Sequence, residues 1–147
     1  VGLGRAAELA RLGFENGEVE KIRQLRDRLE TTIEREIEAV GINSKSVSRV
    51  PNTASIYFDF IEGEALVIAL DLKGVAVSTG AACSSGAIEP SRVLIAMGLS
   101  NERARGSLRF SIGKQNTKED VDLLLSVIPE TVGRLRELSP VYNKTSS

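Results

Sequence analysis

The sequence predicts an α/β domain in which a small sheet packs on two long helices. Apolar residues recur at spacings of three and four over residues 18–40 and again over 121–138, the pattern of amphipathic helices. Residues 55–61 are rich in β-branched and aromatic side chains, and residues 107–112 alternate polar and apolar, as strands do. Helices and strands that follow one another along one chain are typical of the α/β class.

The N-terminal region predicts two helices. A short helix over residues 3–12 precedes the long one, and the Asn16-Gly17 pair separates them. The buried stripe of the long helix is predicted to comprise Val19, Ile22, Leu25, Leu29, Ile33, Ile37 and Val40. Gly41 is the expected end of this helix. The polar residues 41–53 predict a turn or a short edge strand.

The middle of the chain predicts shorter elements. A strand over 55–61 leads into a helix over 65–72, which a short strand at 75–77 follows. A further short helix is expected over residues 90–97, before the strand at 107–112.

The C-terminal helix has a clear start signal. Asn116 or Thr117 is the expected N-cap, and Glu119 or Asp120 is placed to reach back to it. The dipeptide Ser139-Pro140 is the expected stop.

Composition excludes several classes of function. The 147 residues suit one domain, and a net charge of −1 offers no positive field for nucleic acid. The chain has no histidine and one cysteine, which excludes a Ser-His-Asp triad, a Cys-His pair, an imidazole zinc site and an internal disulfide. An unpaired thiol fits a reducing compartment. With no apolar stretch long enough to span a bilayer, we expect a soluble, cytoplasmic protein without membrane contacts.

Cys83 lies in an unusual segment. Eight of the ten residues 78–87 are Ser, Gly or Ala, so large apolar anchors are missing and we expect the segment to be exposed and mobile. A reactive thiol needs such access together with a lowered pKa. The residues alone leave open both a functional thiol and an inert loop cysteine.

Arg109 is the second candidate. Its neighbours Leu108 and Phe110 are predicted to face the core, which leaves Arg109 on the opposite face with Ser107 and Ser111. An arginine held on a strand can bind a carboxylate through two parallel hydrogen bonds. The alternative is an ordinary surface arginine.

Several motifs together resemble one family. Residues 78–86, STGAACSSG, resemble the active-site cysteine loop of IscS/NifS-type cysteine desulfurases, and 107–113, SLRFSIG, resemble their substrate-binding strand. Further matches in family order are PNT at 51–53, EGE at 62–64, EPSRVL at 89–94 and GRLRELSP at 133–140.

The resemblance implies a fold type I enzyme that uses pyridoxal phosphate. It implies conversion of L-cysteine to L-alanine, with the sulfur retained as a persulfide on Cys83. It places Arg109 on the substrate carboxylate and Asn52 near the substrate. It also implies a homodimer that passes sulfur to an iron–sulfur scaffold or another acceptor protein.

The resemblance further implies that residues 1–147 form only the small C-terminal domain. No lysine of this chain lies in the family's cofactor motif, so the cofactor domain is expected outside the chain and the chain alone is expected to be inactive. Two other hypotheses about the function remain. One is a non-catalytic module that relays sulfur or docks a partner, and the other is an inert α/β domain with an incidental thiol.

Overall fold

A computed structural model describes residues 1–80, 89–139 and Tyr142. Six helices and three strands occupy these residues, and they are, in chain order, α1 (Gly2–Glu15), α2 (Glu18–Glu36), β1 (Val40–Ile42), β2 (Thr53–Phe58), α3 (Gly63–Asp71), α4 (Arg92–Ala96), α5 (Asn101–Arg105), β3 (Ser107–Ser111) and α6 (Lys118–Glu137). The predicted class is confirmed: a small sheet packs on long helices.

The three strands form one antiparallel sheet in the order β1-β2-β3. Burial along β2 alternates from residue to residue, so the strand presents one face to the core and the other outward. The register pairs Thr53 with Ser111 and Tyr57 with Ser107. Polar residues of β2 and β3 therefore lie side by side on the outer face.

The core lies between the inner face of the sheet and α2, α3 and α6. From the predicted stripe of the long helix, Leu25, Leu29 and Ile33 lie in this core and Ile22 packs against it. The most buried side chains of this core are Leu29, Ile33, Ile56, Phe58, Leu66, Leu70, Leu108, Ile128 and Val132. Burial of these side chains is the main force that holds the helices on the sheet.

The start of α6 confirms the predicted cap. Thr117 Oγ1 accepts a hydrogen bond from the backbone N–H of Asp120 at 3.3 Å, and Asp120 Oδ2 accepts one from the N–H of Thr117 at 2.9 Å. This reciprocal capping box satisfies two backbone donors that the helix itself leaves unpaired.

The predicted end of the long N-terminal helix is wrong. The helix ends at Glu36, since Ile37 is extended (φ −122°, ψ 120°) and Ala39 has a positive φ of 50°. Val40 pairs with Phe58, so Gly41 lies inside a strand. A Cβ at Gly41 would overlap the Tyr57 ring, so the glycine is required by this cross-strand contact rather than by a helix end.

In the middle of the chain one predicted strand is absent and one helix was missed. Residues 75–77 form no strand, and among the described residues of this region one isolated bridge joins Ser78 to Arg109. Helix α5 was not predicted, because five residues are too few to show an apolar period. Its start depends instead on Ser100, whose side chain accepts from the backbone N–H of Arg103 at 3.3 Å.

Helix α1 packs mainly on α2 and leaves most of its surface in solvent. Leu3 and Phe14 are 86% and 72% exposed. Within the described residues, no helix combines the length and the apolar content needed to cross a membrane.

Candidate active site on the outer face of the sheet

Strand β3 places Arg109 on the outer face of the sheet. Leu108 and Phe110 are buried in the core, whereas Arg109 and Ser111 are exposed, as the alternation predicted. Ser107 lies on the same outer face but is covered. The prediction of which residues share the face of Arg109 is thus confirmed.

Hydrogen-bonded neighbours on both sides hold the backbone of Arg109. On one side, its N–H donates to the carbonyl of Ser78 at 2.6 Å and its carbonyl accepts from the N–H of Ser78 at 3.2 Å. On the other side, Arg109 pairs with Ser55 of β2. The root of the side chain therefore has little freedom, which is what an oriented binding group needs.

The guanidinium of Arg109 has no partner among the described residues. Most arginines of this chain pair with a carboxylate or donate to a backbone carbonyl, and only Arg105, Arg109 and Arg134 make no such contact within the described residues. Of these three, Arg109 alone lies on a strand. An anion can therefore bind it without first displacing an internal carboxylate.

Arg103 shows the opposite, structural use of an arginine on the same face. It donates two hydrogen bonds to Asp59, each 3.0 Å long, and its guanidinium carbon lies 4.5 Å from the centre of the Tyr57 ring. These hydrogen bonds are the main reason that the pKa of Arg103 is raised. Its guanidinium is already committed to these contacts.

Asn52 lies in the turn before β2 and does not join Arg109. Its carbonyl accepts from the N–H of Ile112 at 2.8 Å, and its side chain is exposed. Ile112 is three residues after Arg109, so Asn52 lies about 10 Å from Arg109 along the strand direction.

Two arginines tie the segment before Asn52 to α2. Arg26 of α2 donates to the carbonyl of Val50 at 2.9 Å. Arg49 donates two hydrogen bonds to the buried Glu30 of α2, at 2.6 and 2.8 Å, and these raise the pKa of Arg49. The segment is therefore held to α2 at Arg49 and at Val50.

Cys83 lies outside the described residues, so its predicted exposure and reactivity stay predictions. The described chain leading to it is held by two neighbours. Ser78 is bridged to Arg109, and the Thr79 methyl lies against Gly63 at the start of α3. A Cβ on Gly63 would come within 2.5 Å of the Arg105 carbonyl, which explains the glycine of the EGE motif.

Sequence reasoning missed Asn43. It is 5% exposed and follows β1, where its side-chain amide donates to Ser55 Oγ at 2.9 Å and to Ser107 Oγ at 3.3 Å. The alternation of β3 already predicted a polar outer face. Nothing local could show that β1 brings an asparagine onto it, because that depends on strand pairing.

Comparison with known protein families decides what kind of chain this is. Residues 1–124 match the aminotransferase class-V family, which is most of the chain. The chain belongs to this family.

Its class-V relatives include cysteine desulfurases. The chain is 49% identical over 140 residues to the cysteine desulfurase of Cereibacter sphaeroides, covering 95% of this chain and 35% of that protein. It is 44% identical over 143 residues to that of Gluconacetobacter diazotrophicus, covering 97% and 36%. The chain thus spans about a third of the length of these relatives.

Solved structures support the same family. A NifS-like protein superposes with a TM-score of 0.74 at 30% identity, covering 89% of this chain and 32% of that one. A NifS-like protein from Rickettsia africae gives a TM-score of 0.67 at 31% identity, covering 78% and 29%. The small sheet with its long helices is therefore a fold that NifS-like proteins contain.

None of the described lysines of this class-V chain lies in a buried pocket. Pyridoxal phosphate is held by a lysine that its pocket buries and activates. The described lysines Lys21, Lys45, Lys73, Lys114 and Lys118 are all exposed. Lys45 pairs with Glu34, and Lys118 pairs with Asp122. The described part of the chain also contains no cluster of carboxylate or thiol groups that could hold a metal ion.

Proposed function

We propose that residues 1–147 are the small C-terminal domain of a longer cysteine desulfurase. In that enzyme Arg109 binds the carboxylate of L-cysteine, and Cys83 takes the substrate sulfur and holds it as a persulfide. Asn52 contributes from the edge of the site. Pyridoxal phosphate is bound by residues outside this chain, which is consistent with the exposure of every described lysine.

The observation that carries the proposal is the bridge between Ser78 and Arg109. It joins the start of the cysteine segment to the strand that carries an unpaired arginine. Cys83 is five residues beyond Ser78, and an extended chain spans at most about 3.6 Å per residue. Chain connectivity thus keeps the Cα atom of Cys83 within about 18 Å of the Cα atom of Ser78, which is bridged to the arginine strand.

The sulfur step uses Cys83 as a nucleophile. Its thiolate attacks the sulfur of L-cysteine, so a new S–S bond forms while the bond between the substrate sulfur and its β-carbon breaks. The electron pair of the broken bond stays with the carbon, which takes up a proton and leaves as L-alanine. Arg109 fixes the substrate by its carboxylate, at the end that does not react.

The resemblance to cysteine desulfurases also supports a setting for the longer enzyme. We propose that it is a homodimer in a reducing compartment such as the cytoplasm. Its persulfide sulfur would pass to an iron–sulfur scaffold or to another acceptor protein. L-cysteine is the sulfur donor.

Alanine production tests the proposal. The purified 147-residue chain, supplied with pyridoxal phosphate and L-cysteine, is expected to form no alanine catalytically, whereas the longer chain forms it. Cys83→Ala in the longer chain is expected to abolish sulfur release. Turnover by the 147-residue chain would contradict the proposed division of the enzyme. Sulfur uptake by that chain only from a separate desulfurase would favour a relay module instead.

A further inference from the structure

The outer face of the sheet carries one more hydrogen-bond donor beside Arg109. Ser55 of β2 is the register partner of Arg109. Arg109 exchanges both of its backbone hydrogen bonds with Ser78, so its pairing with Ser55 is of the non-hydrogen-bonded type. In such pairs the two Cβ atoms lie about 4.5–5.5 Å apart. The side chain of Ser55 therefore lies directly beside the root of the arginine.

The hydroxyl of Ser55 has a defined orientation. Its oxygen accepts from the side-chain amide of the buried Asn43 at 2.9 Å. The same amide donates to Ser107 Oγ at 3.3 Å, and the Ser107 hydroxyl donates to the carbonyl of Arg103 at 2.7 Å. Ser55 Oγ thus acts as an acceptor in this network, and within the described residues its own proton has no acceptor.

We propose that Ser55 is a second binding residue for the α-carboxylate of the substrate, and that Asn43 is the positioning residue that orients its hydroxyl. This inference rests on the proposed function, in which Arg109 binds that carboxylate. A carboxylate offers about four lone-pair sites, of which a bidentate arginine uses two. A hydroxyl on the neighbouring strand can occupy a third. The pair of residues then selects amino acids whose α-carboxylate is free.

Two substitutions at Ser55 test the role of its hydroxyl in the longer enzyme. Ser55→Ala removes the donor and is expected to raise KM for L-cysteine about tenfold or more, while kcat stays within about twofold. Ser55→Thr keeps a hydroxyl and suits a strand, so it is expected to restore a KM near that of the wild type. Asn43→Ala leaves the hydroxyl free to rotate and is expected to raise KM by a smaller factor.

A matched control separates binding from a general effect on folding. Ser126→Ala removes a serine hydroxyl from the exposed side of α6, where it donates to the Leu123 carbonyl. It is expected to leave KM unchanged. Equal increases in KM for Ser126→Ala and Ser55→Ala would overturn the proposal.

Binding of L-alanine and of L-alaninamide, measured by calorimetry, isolates the carboxylate. Ser55→Ala is expected to weaken L-alanine binding by the same factor as it raises KM, and to leave the uncharged amide unaffected. If Arg109→Lys weakens L-alanine binding but Ser55→Ala does not, the proposal for Ser55 is wrong and the proposed function stands. If neither substitution changes it, the carboxylate is not bound on this face and both proposals fail.

Discussion

Arg109 combines a fixed backbone with a free guanidinium. Ser78 holds its backbone on one side of β3, and β2 pairs with it on the other. Arg103, six residues earlier in the sequence, instead donates two hydrogen bonds to the carboxylate of Asp59. Two arginines on one face thus differ in their contacts, because one has a carboxylate partner within the domain and the other has none among the described residues.

Replacement of Arg109 by lysine tests the proposed carboxylate contact. A lysine keeps the charge but cannot form two parallel hydrogen bonds, so KM for L-cysteine in the longer enzyme is expected to rise about tenfold or more. The side chain is exposed, so the midpoint of thermal unfolding is expected to stay unchanged. Arg134→Lys is the control, at an exposed arginine of α6 that has no ion pair within the described ranges. An unaltered KM in the Arg109 variant would refute the contact.

Helices α2 and α6 are joined at the surface by Arg28 and Asp122. Arg28 donates two hydrogen bonds to one oxygen of Asp122, at 2.9 and 2.5 Å, and Lys118 adds an ion pair at 3.2 Å. These contacts, the Arg28 hydrogen bonds first, hold the pKa of Asp122 below its usual value of 3.8. Folding therefore favours the ionised carboxylate.

This pKa shift predicts a pH dependence. A carboxyl group with a lowered pKa in the folded state stabilises the fold above pH 3.8, and that contribution is lost as the pH falls through the lowered value. Asp122→Asn is therefore expected to destabilise the chain at neutral pH, by an amount that shrinks as the pH falls below 3.8. Urea unfolding at several pH values measures this, and Asp71→Asn, at an exposed carboxylate of α3, is the control. A difference that does not change with pH would contradict the assignment.

Local signals predicted the elements that depend on local chemistry. The capping box of Thr117 and Asp120 and the polar outer face of β3 follow from short-range patterns. Strand β1 was predicted only in part. A turn or a short edge strand was expected over 41–53, but Val40 was assigned to the preceding helix, because Ile37 and Val40 continue the apolar period of α2 into a strand. The network around Asn43 was missed for a related reason, since pairing of β1 with β2 brings it to Ser55 and Ser107.

The sheet has one well-packed face and one outer face that carries the proposed binding residues. The inner face of the sheet is covered by α2 and α6, with α3 packed beside them. The outer face carries Arg109, Ser55 and the start of the cysteine segment at Ser78. The chain aligns over 97% of its length with 36% of a cysteine desulfurase, and we propose that it supplies one side of the active site of the longer enzyme.

The fate of the substrate sulfur tests this view most directly. The longer enzyme would be incubated with L-cysteine as the only sulfur source, digested under non-reducing conditions, and the peptide that contains Cys83 analysed by mass spectrometry. We expect that peptide to gain the mass of one sulfur atom, which a reductant removes, while the Cys83→Ala peptide gains none. Continued alanine formation with no sulfur added at Cys83 would contradict the proposed role of this thiol.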